Sequence, residues 1–167
     1  MCFVLNSNRR CCCCHRCHRC CYYSHSHRTS HHEDLPQLKA VFISHLSTRE
    51  QLIEAVRGVR RLLSVERNPP INEVLSAGVL PYLVKFLRQY DTRLLMLFES
   101  ALALTYIASA DKTTAIVDAL AVPPLIDLLR HDVPDIREQA AGCLGAIAGV
   151  SLVLNDHLLD QGILEPL

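Results

Sequence analysis

The sequence predicts an all-α protein made of stacked helical repeats, and two observations lead to this prediction. The helix-like stretch 134–149 has a copy upstream, because residues 98–109 align with residues 138–149 at a constant offset of 40. A second series starts at Gly78, Leu120 and Gly162, which are 42 residues apart. A repeat of this length that contains only helical patterns is typical of a solenoid, in which each unit buries its apolar face against the next.

Composition divides the chain into a basic segment and a mildly acidic body. The chain has 167 residues, 50% of them hydrophobic, with a formal net charge of zero. Residues 1–32 hold five Arg and no acid, which leaves 12 basic against 17 acidic residues in the rest. An acidic body favours basic partners and argues against nucleic acid. No apolar run approaches the ~18 residues that a membrane span needs, so no membrane partner is expected.

Residues 1–34 are predicted to form a disordered tail rich in Cys, His and Arg. Eight of the nine Cys lie between residues 2 and 21, in adjacent runs unlike a disulfide framework. A reducing setting, cytosolic or nuclear, is therefore expected. The best candidate metal ligands are Cys14, Cys17, Cys20 and His18. No apolar framework would fold them around an ion, so we favour adventitious binding and predict no metal site and no cofactor. Acylation of adjacent Cys is weaker still, because no amphipathic segment adjoins them.

A partial repeat is predicted over residues 35–64. Residues 35–46 form a moderately apolar helix candidate. The hydroxyl residues Ser47 and Thr48 then suit the N-cap of a second helix that runs to about Ser64. Pro69 and Pro70 end this region.

Two complete repeats are predicted over residues 71–110 and 111–150, followed by a truncated repeat over 151–167. Each complete repeat has a short helix (71–77; 113–120), a second helix (80–88; 124–130) and a long third helix (93–109; 134–148). The truncated repeat adds helices at 152–159 and from Leu164 onward. Three helices per repeat favour armadillo over HEAT repeats. The predicted fold is therefore an all-α armadillo-repeat right-handed superhelical solenoid with partial repeats at both ends. Since an open solenoid end exposes core surface, we expect either a longer protein or a covering partner.

Several phrases resemble the importin-alpha family of nuclear import adaptors. They are residues 60–74, 98–101, 104–105, 107–109, 138–140 and 147–149, and the resemblance covers about residues 36–167. It implies an armadillo groove that binds the extended, Lys/Arg-rich nuclear localisation signal of a cargo protein. It also implies a location in the cytoplasm and the nucleus.

The same resemblance assigns residues to that groove. In the family each long third helix carries a Trp and, four residues later, an Asn, so that the two share one helix face. Trp rings hold the stems and cations of basic side chains, while Asn pairs with the peptide backbone. By family position the retained residues are Ser109, Gln139 and Gly149, with Glu99 and Glu138 nearby, and the substituted ones are Leu102, Tyr106, Gly142, Ala146 and Val150.

These substitutions remove both Trp positions, both Asn positions and one acid. Each lost amide pair costs ~1–3 kcal/mol and each lost aromatic slot ~0.5–2 kcal/mol. We therefore expect little or no binding of classical basic signals. The open question at Tyr106 is whether it forms an exposed apolar patch or folds over a decayed groove.

Two function hypotheses remain beside a less favoured Cys/His metal-binding regulator. The first is an importin-alpha-like import adaptor with a degenerate groove. The second is a non-transport armadillo interaction module, or a non-functional fragment of a paralogue. The importin-beta-binding segment of the family is not visible, because the five early Arg are dispersed among Cys and His. No enzyme is predicted, since Gly142, Gly145 and Gly149 follow no strand and Cys143 has no nearby His partner.

Overall fold

The computed structural model describes residues 35–65, 67–88, 94–110 and 112–166. Within these ranges the chain is helical and contains no strand. The helices of this part of the chain are α1 Leu35–Ile43, α2 Arg49–Leu63, α3 Ile71–Ser76, α4 Leu80–Leu87, α5 Leu94–Ser109, α6 Thr113–Asp118, α7 Val122–Leu128, α8 Pro134–Ala148 and α9 Leu152–Asp160.

Local sequence signals explain where several helices begin. The Thr48 side chain accepts a hydrogen bond from the backbone N–H of Gln51 at 3.2 Å, and Gln51 Oε1 accepts one from the backbone N–H of Thr48 at 2.8 Å. This capping box satisfies two N–H groups that the first turn of α2 would otherwise leave unpaired. Helices α4, α7 and α8 each have Pro in the first two positions, where its missing N–H costs nothing.

The long helices α2, α5 and α8 form the centre of the stack. Helix α5 packs against both α2 and α8, and α8 packs against α9. Each long helix buries a stripe of aliphatic residues, and removing such a side chain from water contributes ~1.5–3 kcal/mol. The residues of these stripes that are at most 1% exposed include Val56, Val59, Leu104, Ile107, Leu144 and Ile147. The 40-residue repeat of the sequence is therefore a repeat of buried helix faces.

The turn between the first two helices of each repeat has a left-handed backbone. Gly78 has φ +72° and Gly162 has φ +79°, but Leu120, at the equivalent position, has φ +58°. A residue with a Cβ atom in this conformation costs about 1–2 kcal/mol relative to its usual conformation. Arg88 Nη2 donates a hydrogen bond to the backbone oxygen of Leu120 at 3.0 Å, which ties this turn to the preceding repeat.

The helix predicted from Leu164 onward is wrong within the residues that the structure describes. Residues 161–164 are in turns, and the N–H of Glu165 bonds back to the carbonyl of Gly162 at 3.1 Å. The left-handed backbone at Gly162 interrupts the helical path, and Pro166 has no N–H to donate to a helical hydrogen bond.

Other helix boundaries differ from the prediction by a few residues for local reasons. Helix α1 ends at Ile43 rather than near Leu46. After this end the chain turns back, and the Ser47 hydroxyl donates a hydrogen bond to the carbonyl of Val41 at 2.7 Å. Helix α6 ends at Asp118 because Leu120 is already left-handed. The predicted tail 1–34 and its candidate ligands Cys14, Cys17, Cys20 and His18 lie outside the described residues.

Candidate peptide-binding face

The predicted groove residues lie on α5 and α8 and in the turn that follows α8. Leu102, Tyr106 and Ser109 are on α5, and their equivalents at the 40-residue offset are Gly142, Ala146 and Gly149. Because α5 and α8 are neighbours in the stack, the two sets belong to adjacent helices. Exposed members of the combined set are Ser109, Gly142, Gly149 and Val150, and partly buried members are Leu102, Tyr106, Gln139 and Ala146.

On α5 an apolar surface stands where the family has an aromatic residue and an amide. Tyr106 packs partly against the core, whereas Leu102 lies outside the core cluster that the described residues form. Tyr106 therefore supports the helix stack as well as lining the face. The retained Ser109 donates its hydroxyl to the carbonyl of Thr105 at 2.9 Å, so its hydrogen is already committed within the helix.

On α8 the equivalent positions have no side chain or only a methyl group, since they are Gly142 and Ala146. Gly142 and Gly145 are exposed, and a Cβ atom built on either would have no atom of another helix within 4 Å. The space directly next to the helix backbone is thus open at these two positions. Gly142 cannot provide the stacking contact that a basic side chain needs.

Glu99 belongs to a buried ion-pair cluster and is not a free acid of this face. Its side chain is only 7% exposed, and Arg60 Nε donates to Oε2 at 2.8 Å while Arg57 Nε donates to Oε1 at 3.3 Å. The two carboxylate oxygens are thus occupied by cations of α2. A cation of a bound peptide would have to displace an internal arginine to reach Glu99.

No sequence pattern predicted the ion pairs that the arginines of this cluster form with Glu99. The sequence pattern assigns Arg57 and Arg60 no role, yet their side chains connect α2 to α5. The hydrogen bond that Arg57 donates to Glu54 is the main influence that raises the pKa of Arg57, and Glu99 adds to it. Their partner Glu99 is 39 and 42 residues away in sequence, so local periodicity gives no signal for the pairing.

The remaining acid of this face is on α8. Glu138 is exposed, and no ion pair joins it to another residue of the described part of the chain. Val150, where the family acid would stand, is 46% exposed and offers no charge. Apart from the partly buried Gln139, the face therefore has one exposed acid and otherwise apolar or small groups.

Cys143 is a core residue between α5 and α8. It is fully buried, and burial raises the pKa of its thiol to about 12, against the smaller opposite effect of a hydrogen bond with Thr105. At neutral pH almost no thiolate forms, so this thiol is a poor nucleophile and metal ligand.

Neither a metal site nor a membrane span is present in the described ranges. No group of three or more His, Cys, Asp or Glu side chains among these residues could hold a metal ion. None of the helices in the same ranges combines the length and apolar character required to cross a bilayer.

Comparison with known sequences identifies the repeats. Residues 67–109 and 109–149 each match the family described as Armadillo/beta-catenin-like repeat. Importin subunit alpha-6 of Arabidopsis thaliana is 45% identical over 129 residues, which are 76% of this chain and 23% of that protein. Importin subunit alpha-1b of Oryza sativa subsp. japonica is 45% identical over 117 residues, 69% of this chain and 22% of that protein. The chain spans about a quarter of the length of these relatives.

Solved structures agree with this assignment. A designed armadillo repeat protein in complex with the peptide (KR)4 has a TM-score of 0.71 at 25% identity, covering 80% of this chain and 55% of that one. An engineered protein matches with a TM-score of 0.69 at 30% identity, covering 80% of this chain and 54% of that one. These matches confirm the all-α armadillo fold predicted from the repeat period. The chain thus belongs to the armadillo-repeat proteins and is importin-alpha-like over its helical part.

Proposed function

We propose that this chain is an importin-alpha-like armadillo adaptor whose groove for basic localisation signals is degenerate. The supporting observation is the face formed by α5 and α8, where Leu102, Tyr106, Gly142 and Ala146 stand at the family's Trp and Asn positions. The importin-alpha relatives support the kind of partner, a protein that carries a basic peptide signal. Such proteins work in the cytoplasm and the nucleus, which is the location we propose.

Two features of the geometry support the proposal that basic signals bind weakly. The nearest family-like acid, Glu99, is already paired with Arg57 and Arg60. The open backbone at Gly142 supplies neither an aromatic face nor an amide to the peptide. Losing two aromatic slots at ~0.5–2 kcal/mol each and two amide pairs at ~1–3 kcal/mol each weakens a micromolar complex by several powers of ten.

Fluorescence anisotropy tests this part of the proposal. A labelled monopartite Lys-rich peptide is titrated with the full chain at near-physiological salt and under reducing conditions. We expect a dissociation constant above about 1 μM, because the favourable contacts of the groove are missing. A constant below about 1 μM would show that the groove still recognises classical signals.

The second candidate function is a non-transport armadillo interaction module, and the same substituted face favours it. Affinity capture with and without importin-beta separates the candidates, because an import adaptor must engage that partner. Retention of importin-beta by the full chain supports the adaptor, and its absence under conditions that retain a known importin-alpha supports the module. Neither candidate includes a catalytic step, and the inert Cys143 thiol agrees with a binding role.

A further inference from the structure

The face of α5 and α8 carries two different stripes at equivalent positions. On α5 the stripe is Phe98, Leu102 and Tyr106, which are four residues apart and so lie above one another on the helix. On α8 the residues at the 40-residue offset are Glu138, Gly142 and Ala146. One stripe is apolar along its length, and the other combines an acid with an open backbone.

The α5 stripe offers apolar contact that the core of the protein does not use fully. Phe98, Leu102 and Tyr106 are all partly exposed. Phe98 and Leu102 lie outside the core cluster of the described residues, whereas Tyr106 packs against it. Apolar surface of this kind is stabilised by covering it with aliphatic side chains, at about 25 cal/mol per Å².

The α8 stripe offers room and a single negative charge. A Cβ atom built at Gly142 would have no atom of another helix within 4 Å. The stem of a ligand side chain can therefore lie directly on the helix backbone there. Glu138 is one helical turn away from Gly142 and is exposed. Since Glu99 is occupied by two arginines, Glu138 is the carboxylate that charge complementarity assigns to a ligand on this stripe.

An extended peptide that crosses the two neighbouring helices can contact both stripes. Alternate residues of an extended chain are about 7 Å apart and point to the same side. Packed helices are about 8–10 Å apart, so neighbouring side chains on one side of such a peptide meet neighbouring helices. A peptide that crosses α5 and α8 therefore presents one side chain to the apolar stripe and the next to the acid.

From these observations we propose that this face selects an extended peptide with an aliphatic side chain over α5 and a basic side chain over α8. The proposal rests on the adaptor function above and specifies its ligand class. The aliphatic side chain lies against Phe98 and Leu102, and the basic side chain lies over Gly142 and pairs with Glu138. A uniformly Lys-rich peptide is selected against, because the α5 stripe has no free acid to receive its cations.

Three labelled nonapeptides with the same backbone length test this preference in anisotropy titrations of the full chain. The first alternates Val and Ser around one central Arg, the second has Gln in place of that Arg, and the third has Lys at every Val and Arg position. We expect the first peptide to bind with a dissociation constant below about 1 mM. The Lys peptide should bind at least about five-fold more weakly, since it loses the apolar contact.

Protein variants assign the contacts. Glu138→Gln should weaken binding of the Arg peptide about two- to five-fold, the range of an exposed ion pair, and leave the Gln peptide unchanged. Leu102→Ser should weaken the Arg and Gln peptides alike, by about five-fold. Asp127→Asn removes a similarly exposed acid from α7 and is the matched control, with no expected effect on any peptide. Circular dichroism checks that each variant keeps the helix content of the parent chain.

The outcomes separate this proposal from the adaptor function. Tighter binding of the Lys peptide than of the Arg peptide overturns the selectivity proposed here. If the dissociation constant of the Lys peptide is also below about 1 μM, the proposal of a degenerate groove is overturned as well. If none of the peptides binds below about 1 mM, the ligand class is wrong while the adaptor with a degenerate groove stands. An equal loss for the Arg and Gln peptides in Glu138→Gln contradicts the pairing with the basic side chain.

Discussion

The ion-pair cluster between α2 and α5 predicts a strong coupling between two repeats. Arg60 Nε lies 2.8 Å from Glu99 Oε2, and the Glu99 side chain is only 7% exposed. At an effective dielectric constant of about 20 the attraction over this distance is about 6 kcal/mol, most of which the desolvation of the buried carboxylate offsets. A net coupling of about 1.5–3 kcal/mol remains, which is typical of hydrogen bonds to charged groups.

A double-mutant cycle measures this coupling. The free energy of unfolding is determined by urea titration for the parent chain, Arg60→Gln, Glu99→Gln and the double variant. The matched control is the exposed pair of Arg130 and Glu165, whose atoms are 3.6 Å apart and whose side chains are 61% and 79% exposed. The control cycle should give about 0–0.5 kcal/mol, because exposed pairs are screened by water.

Comparing the two coupling energies shows whether the ion-pair cluster stabilises the contact between α2 and α5. If the coupling of Arg60 and Glu99 were no larger than that of the exposed pair, the cluster would not hold the first repeats together. Arg57 provides an internal check, since it also pairs with Glu54 and should retain that partner when Glu99 is removed. Arg57→Gln alone should therefore be less costly than Glu99→Gln.

Three further predictions concern the face, the turns and the core. Gly142→Trp with Ala146→Asn should tighten binding of the Lys-rich peptide about ten-fold or more in anisotropy titrations, because an aromatic slot and an amide return to a site with open space. Gly78→Ala should lower the free energy of unfolding by about 1–2 kcal/mol, because it places a Cβ atom in a left-handed turn. Leu120→Ala keeps a Cβ atom in the equivalent left-handed turn, so it should change the free energy of unfolding by less than about 1 kcal/mol. Urea titration measures both values. The raised pKa of Cys143 stabilises the fold fully below about pH 9, and this contribution should fall toward pH 12 by about 1.4 kcal/mol per pH unit, so the stability of the parent chain relative to Cys143→Ala should decline over that range.

Much of the fold could be predicted because its signals are local and repeated. The capping residue Thr48 and the helix-starting Pro134 marked helices that the structure contains at those places. Buried residues such as Leu104 and Leu144 recur at the repeat interval, so one helix face predicted the next. The ends of helices were predicted less accurately. The helices that end at Ile43 and Asp118 stop because of the backbone turns that follow, and hydrophobic periodicity contains no signal for these turns.

The candidate site was less predictable because its properties depend on contacts between repeats. Glu99 was expected to be a surviving acid near the groove, but its charge is taken by arginines of another helix. Tyr106 could be exposed or folded inward, and its packing against the core is a tertiary contact. The assignment of Ser109, Gln139 and Gly149 to a peptide-binding face stays a prediction.

The open backbone at Gly142 has a consequence for how such a protein evolves. A Cβ atom there would meet no atom of another helix within 4 Å, so the packing of the helices does not depend on this position being glycine. Selection for a stable fold therefore places little constraint on this position, and only selection for a ligand could preserve an aromatic residue there. Recognition can thus be lost or redirected in such a repeat while the solenoid persists.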